Sequence, residues 1–145
     1  MTQAHFYHNT ADRLALACEL LGNAHQHGRK AAVLCPDADV AHHLDRLLWT
    51  AAPGSFIPHV QANSPLASET PIIIGASLSG QTWPHTDILF NLSDTLPTEV
   101  GRFRLVIEIV GVSEAERQPA RARWVHYKHL QFPLKAFDSE RRAAL

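Results

Sequence analysis

The sequence has 145 residues, about the length of one domain, and its 13 Lys and Arg nearly balance 14 Asp and Glu, so the formal net charge is -1. This balance excludes a global positive field that would attract nucleic acid or anionic lipid. No apolar run approaches the roughly 18 residues of a membrane span, and the start MTQAHFYHNTAD lacks the basic and apolar regions of a leader. We therefore expect one cytoplasmic domain over residues 1–145, without membrane contact.

Short apolar runs alternate with helical patterns in the first half of the chain. Residues of the NTAD segment and Asp37 are suited to cap the helices that follow them, and Gly28 is suited to end the first helix. The predicted elements are a strand at AHFYH (4–8), a helix over 11–27, a buried strand at AAVLC (31–35) and an amphipathic helix at DADVAHHLDRLLWTA (37–51).

The second half continues the alternation after a polar segment over 60–71, which we predict to be a loop. Ser113 and Glu116 form a capping-box pattern that predicts the start of the last helix, and Pro119 is expected to kink that helix or delay its start. The remaining elements are strands at PIIIG (71–75), DILFN (87–91) and RLVIEIV (104–110), and a loosely ordered C-terminal tail over 133–145. Strands that alternate with helices predict the α/β class, with a mostly parallel sheet flanked by helices in a single layered domain.

The two cysteines, Cys18 and Cys35, lie inside apolar runs and lack the spacing of a zinc site or a redox pair. We expect both to be buried free thiols. Ten histidines are many for this length, but they are not spaced with carboxylates or cysteines as metal ligands usually are. The sequence therefore predicts no metal site.

The segment GASLSGQT (75–82) comes close to the phosphate-binding pattern G-x-x-x-x-G-K-[ST]. Gln81 stands where the lysine of that pattern should be, and Pro84 would disrupt the helix that must follow the loop. We predict a plain loop, and keep as the alternative a small α/β enzyme that uses a degenerate phosphate loop. No other catalytic motif is present, so we expect no catalytic residue and no cofactor.

Trp49 is predicted to point away from the core side of the second helix. At about 100° per residue it lies about 180° from Val40, among charged and polar neighbours. An aromatic residue on such a face is typical of an interface hot spot. The alternative is that Trp49 packs on Phe56, beyond the Pro53-Gly54 bend, in a small satellite cluster. The apolar residues that share the core side are Val40, Leu44, Leu47, Leu48 and Ala51.

Basic and aromatic residues alternate in ERQPARARWVHYKHLQF (116–132). Arg117, Arg121 and Trp124 are spaced by four and three residues, so they share one edge of a helix. Guanidinium groups pair with carboxylates and an aromatic ring can hold an apolar side chain, which suits a peptide that ends in a carboxylate. Two alternatives are an ordinary helix with a solvated basic face and a site that stacks the bases of single-stranded nucleic acid.

Four segments together resemble the chi subunit of bacterial DNA polymerase III. They are AHFYH, LDRLLWTAAPGSFIPH, DILFNLSD and ARARWVHYKHLQF. The resemblance extends from about residue 3 to residue 132 and is most specific in the second and fourth segments. It implies a fold like that of a mononucleotide-binding domain without a nucleotide site, which agrees with Gln81 in place of the loop lysine.

The resemblance also implies a non-catalytic adaptor of DNA replication that reaches DNA only indirectly. Members of this family pair with the psi subunit, which joins them to the clamp loader, and bind the acidic C-terminal tail of single-stranded DNA-binding protein. By position, Trp49 and Phe56 match aromatic residues of the psi-facing surface. Arg121 matches the arginine that binds the tail, and Arg117 occupies a neighbouring basic position. The tail's terminal aromatic side chain is expected near Trp124.

Overall fold

One sheet of eight strands organises the computed structural model, which describes residues 2–50, 57–62, 64–76, 83–97 and 100–139 and the backbone of 143–144. The strands are β1 (Gln3–Thr10), β2 (Ala31–Leu34), β3 (His59–Gln61), β4 (Ile72–Gly75), β5 (Ile88–Asn91), β6 (Leu105–Gly111), β7 (Leu134–Asp138) and β8 (Ala143–Ala144). Their order is β3-β4-β2-β5-β6-β1-β7-β8, and all pairs are parallel except β7 with β8. The predicted α/β class with a mostly parallel sheet is confirmed.

Three α-helices flank this sheet within the described residues: α1 (Arg13–Gln26), α2 (Ala38–Thr50) and α3 (Glu114–His129). Apolar side chains of α1 and α2 pack on one face of the sheet, and those of α3 pack on the other. The central strands serve both layers because successive side chains point to opposite faces, so Val33 joins the first core and Ala32 the second. None of these helices is long and apolar enough to span a membrane.

The helix ends follow the predicted capping signals. Asp12 Oδ1 accepts from the Ala15 N–H at 3.1 Å, Asp37 Oδ1 from the Val40 N–H at 2.9 Å, and Ser113 Oγ from the Glu116 N–H at 3.3 Å. These bonds satisfy N–H groups that the first helical turn leaves without partners. Gly28 follows α1 with φ of 71°, in the left-handed region that glycine adopts readily.

Pro119 lies inside α3, and the expectation that it would delay the start of that helix is wrong. The helix begins directly after its cap at Ser113 and continues through Pro119 to His129. A proline at this position removes the N–H that would donate to the Ala115 carbonyl. Ala115 is exposed, so water can supply the missing donor.

Two segments have more structure than the sequence pattern predicts. The polar segment over 60–71, predicted to be a loop, includes most of β3 and a short 3₁₀ helix, Ala67–Glu69. The C-terminal tail, expected to be loosely ordered, forms β7, which pairs in parallel with β1. Both strands are short, with three and five residues, so local periodicity gives little sign of them.

Both cysteines are buried free thiols, as predicted. Burial raises the pKa of Cys18 to about 11 and that of Cys35 to about 12. These thiols therefore remain protonated at neutral pH.

Candidate functional site

An open cleft of about 800 Å³ lies between the middle turns of α3 and the carboxyl end of β1. Its position follows from the topology, because β1 and β6 are adjacent parallel strands and α3 comes directly after β6. The carboxyl end of β1 and the turns of α3 that follow its start therefore come close together at the carboxyl ends of the strands. The residues that line the cleft are His8, Asn9, Val110, Arg117, Ala120, Arg121, Trp124 and Val125.

All three residues predicted to share one edge of the last helix face this cleft. Arg117 is half-buried, and its Nη2 donates to Asn9 Oδ1 at 3.0 Å. Asn9 has φ of 57°, a conformation that Asn tolerates better than most residues, and its amide donates to Asp138 Oδ2 at 3.3 Å. Because a guanidinium carries five N–H donors, Arg117 is held in place with donors left for a ligand.

Arg121 is the more exposed of the two cleft arginines. Its Nη1 lies 2.7 Å from Glu114 Oε1, and the two side chains are 64% and 65% exposed. A surface ion pair of this kind contributes only about 0.2 to 1 kcal/mol. A carboxylate from another molecule can therefore replace Glu114 at small cost.

Trp124 gives the cleft an apolar wall. Its ring meets that of Phe6 edge to face, with centroids 5.0 Å apart and an interplanar angle of 69°. Phe6 is buried, so it holds the indole of the half-buried Trp124 in one orientation. Val110 and the exposed Val125 extend the apolar lining, and the cleft combines two cations with a surface for an apolar side chain.

Arg123 belongs to the buried side of α3 although its neighbours in sequence line the cleft. Its Nε donates to Glu108 Oε1 at 3.0 Å, and Tyr127 Oη and Asn91 Nδ2 donate to Glu108 Oε2 at 2.7 and 2.9 Å. Burial raises the pKa of Glu108, while the charge of Arg123 and these donors act against that shift. The network ties α3 to β5 and β6 and so fixes the cleft wall.

Trp49 lies on the other face of the sheet, on α2, and is 57% exposed. Its ring meets that of His59 edge to face at 5.1 Å. His59 Nδ1 lies 2.7 Å from the Ile57 carbonyl oxygen, and His59 Nε2 lies 3.1 Å from Asp45 Oδ1. The predicted outward direction of Trp49 is confirmed. Phe56, the proposed neighbour, lies outside the described residues, so its contact with Trp49 stays a prediction.

The candidate phosphate loop falls mostly on residues outside the described ranges, but its first glycine is informative. A Cβ at Gly75 would lie 2.9 Å from Trp83 Cη2 and 3.0 Å from Ala62 Cβ, so the buried Trp83 ring requires glycine there. Residues 83–87 form no helix, and β5 begins at Ile88. A phosphate loop needs a helix directly after it, so these features favour a packing role for Gly75.

Among the residues with described positions, no group of three or more His, Cys, Asp or Glu side chains could hold a metal ion. His8 and Asn9 are the polar cleft residues that the sequence pattern did not identify. Both lie near the end of β1, which precedes α3 by about a hundred residues. The end of β1 comes close to α3 only because β1 pairs with β6. No short-range signal could have indicated it.

The comparisons with known proteins agree with one another. The family model described as DNA polymerase III chi subunit, HolC, matches residues 1–135. The chain is 32% identical over 139 residues to the DNA polymerase III subunit chi of Pseudomonas aeruginosa, covering 93% of this chain and 95% of the relative. It is 29% identical over 116 residues to that of Haemophilus influenzae, with 80% and 78% covered. It is 28% identical over 125 residues to the DNA polymerase III subunit chi of Escherichia coli, covering 82% of this chain and 80% of the relative.

Proposed function

This chain belongs to the DNA polymerase III chi subunit family, and we propose that it is a non-catalytic adaptor with two docking surfaces. One surface, centred on Trp49, binds the psi subunit and through it the clamp loader. The other is the cleft of Arg117, Arg121 and Trp124, which binds the acidic C-terminal tail of single-stranded DNA-binding protein. The adaptor contacts DNA only through these partners.

The observation that carries the proposal is the convergence of two arginines and a fixed indole on one cleft. An acidic tail that ends in a carboxylate and an aromatic side chain needs these groups side by side. Carboxylates pair with the guanidinium groups of Arg117 and Arg121, and the terminal ring packs against Trp124. The pair between Arg121 and Glu114 shows that a carboxylate can reach Arg121 in this geometry.

The position of Trp49 supports the second surface. A tryptophan that is 57% exposed on a helix and supported by His59 offers a large and rigid apolar contact. We place Phe56 in the same surface, at the position that matches the family's second aromatic residue. The proposed tail-binding surface includes neither Trp49 nor Phe56, so the two proposed surfaces are independent of each other.

The two surfaces lie on opposite faces of the sheet, because Trp49 is on α2 and the cleft is beside α3. Both partners can therefore bind at once. A bridge of this kind raises the effective concentration of the clamp loader at coated template without requiring either contact to be tight.

The test is fluorescence anisotropy with a labelled peptide of the C-terminal tail of the cognate single-stranded DNA-binding protein. We expect micromolar binding that weakens with added salt and is lost in Arg121→Ala. The matched control is Arg29→Ala, which removes the same charge from an exposed residue. Arg29 precedes β2, so it lies at the amino ends of the parallel strands, whereas the cleft lies at their carboxyl ends. A peptide whose terminal carboxylate is amidated should bind more weakly.

Three results would contradict the proposal. The first is a lack of peptide binding by the intact protein. The second is equal loss in Arg121→Ala and Arg29→Ala, since that would indicate only a general charge effect. The third is tight binding of single-stranded oligonucleotides without any partner protein, which would favour direct stacking of bases on the basic-aromatic helix.

A further inference from the structure

His8 lines the same cleft as Arg117 and Trp124, the cation and the ring that the proposed function uses. It lies on β1 two residues after Phe6, so both side chains point to the face that α3 covers. Its ring is stacked on that of Phe6, with centroids 6.0 Å apart and an interplanar angle of 17°, and lies 6.5 Å from the ring of Trp124. Neither ring nitrogen makes a hydrogen bond within the described part of the chain. The half-buried imidazole therefore lines the cleft, and no described residue uses its hydrogen-bonding capacity.

Charged groups face His8 from two of its three neighbouring elements, β7 and α3. Asp138 is its register partner on β7, and Arg117 faces it from α3, while β6 contributes the apolar Val110. Burial lowers the pKa of His8, and Arg117 adds to this effect while Asp138 opposes it. With a pKa below its usual value of about 6.5, the ring is neutral in the free protein at pH 7.5.

We propose that His8 is a third contact for the acidic tail in this cleft, and that it makes this contact in its protonated form. The proposal rests on the proposed function, because it takes the tail as the ligand. A carboxylate seated between Arg117 and Trp124 lies beside the imidazole, accepts a hydrogen bond from it, and stabilises its positive charge. Binding of the tail is then accompanied by uptake of a proton.

The sign of the pH dependence follows from this linkage. The arriving carboxylate raises the pKa of His8, since it is an opposite charge and also neutralises the repulsion from Arg117. The affinity for the tail therefore increases as the pH falls from 8 to 6. A shift of about one pKa unit corresponds to about a tenfold change in affinity, so a gain of about three- to tenfold is expected over this range. The carboxylates of the tail stay ionised there because their usual pKa values are near 4.

The experiment measures the anisotropy of the labelled tail peptide at pH 8, 7 and 6 and constant ionic strength. We expect the wild-type protein to bind about three- to tenfold more tightly at pH 6 than at pH 8, and His8→Gln to lose most of this gain. Because ten histidines add positive charge as the pH falls, the matched control is His43→Gln. His43 is exposed on α2, beyond the other face of the sheet, and its replacement should leave the gain intact.

A second measurement needs no variant of His8. The ring resonances of His8 are followed by NMR over pH in the wild-type protein, with and without saturating peptide, and its pKa should rise by about one unit in the complex. An unchanged pKa of His8 overturns its role, and so does an equal gain in affinity at low pH in His8→Gln and in the wild-type protein. In either case, binding that still depends on Arg121 leaves the adaptor proposal standing. Absence of peptide binding at both pH 6 and pH 8 overturns the two proposals together.

Discussion

Arg121 pairs with Glu114 two turns earlier in α3, with Nη1 2.7 Å from Oε1. The guanidinium that we propose to bind the tail is therefore already paired with a carboxylate of the same chain. We expect Glu114→Gln to strengthen tail binding by about 1.5- to 5-fold, because a surface ion pair that the ligand must break is worth about 0.2 to 1 kcal/mol. Anisotropy with the labelled tail peptide measures this gain.

The control for Glu114→Gln is Glu69→Gln, which removes the same charge from an exposed residue of the 3₁₀ helix. If both variants strengthen binding equally, net charge and not the release of Arg121 is the cause. If Glu114→Gln weakens binding, Glu114 helps to position Arg121 and does not compete with the tail.

Trp49→Ala is expected to abolish binding of the cognate psi subunit and to leave tail binding and the circular dichroism spectrum unchanged. The indole is 57% exposed, so its loss removes little buried area from the fold. Isothermal titration calorimetry with psi, together with a thermal melt of each variant, tests this prediction. Leu66→Ala is a control of similar exposure, at 54%, outside the proposed surface.

An unfolded Trp49→Ala variant would contradict this assignment and show that Trp49 stabilises the fold through its contact with His59. Equal loss of psi binding in Leu66→Ala would indicate a nonspecific effect of apolar surface. Retained psi binding in a folded Trp49→Ala variant would place the psi contact elsewhere.

The parts of this structure that local sequence patterns could predict are those that depend on local physics. Asp12, Asp37 and Ser113 cap their helices through side-chain bonds to N–H groups only a few residues away. Arg117, Arg121 and Trp124 share an edge because helical spacing alone brings residues three and four apart together. The outward position of Trp49 follows from the same periodicity.

The features that the sequence pattern did not predict depend on pairing between segments that are distant in sequence. His8 reaches the cleft only because β1 lies beside β6, and the alternation of AHFYH gives no information about that neighbour. Arg123 looks like a surface cation in a basic helix, and its burial depends on Glu108, an acidic residue within an otherwise apolar strand. A charged residue inside such a strand is the one signal that could have indicated a buried partner.

His5 is expected to reduce stability as the solution becomes acidic. Its Nε2 is buried without a hydrogen-bond partner in the described part of the chain, and burial, together with Lys135, lowers its pKa. The unfolded chain, with a pKa near 6.5, then binds more protons than the folded chain as the pH falls below that value. The free energy of unfolding should therefore fall between pH 7.5 and pH 5.5, with His8 contributing in the same direction.

Urea denaturation at these two pH values tests the prediction for His5. His5→Gln should show a smaller fall in the free energy of unfolding than the wild-type protein does. His42→Gln, at an exposed position of α2, should show the full fall. An identical fall in all three proteins would assign the acid sensitivity to other groups.

The buried pair of Arg123 and Glu108 makes the strongest stability prediction. Arg123→Met leaves Glu108 fully buried with only neutral donors, Tyr127 and Asn91, and should lower the free energy of unfolding by about 3 to 5 kcal/mol. The double variant Arg123→Met with Glu108→Gln should recover part of this loss, because it buries no unpaired charge. Arg104→Met, at an exposed arginine before β6, should change stability by no more than about 0.5 kcal/mol. If urea denaturation gives Arg123→Met and Arg104→Met equal stabilities, the pair does not anchor α3, and the cleft wall must be held by the apolar contacts of Ala120 and Tyr127 with the sheet.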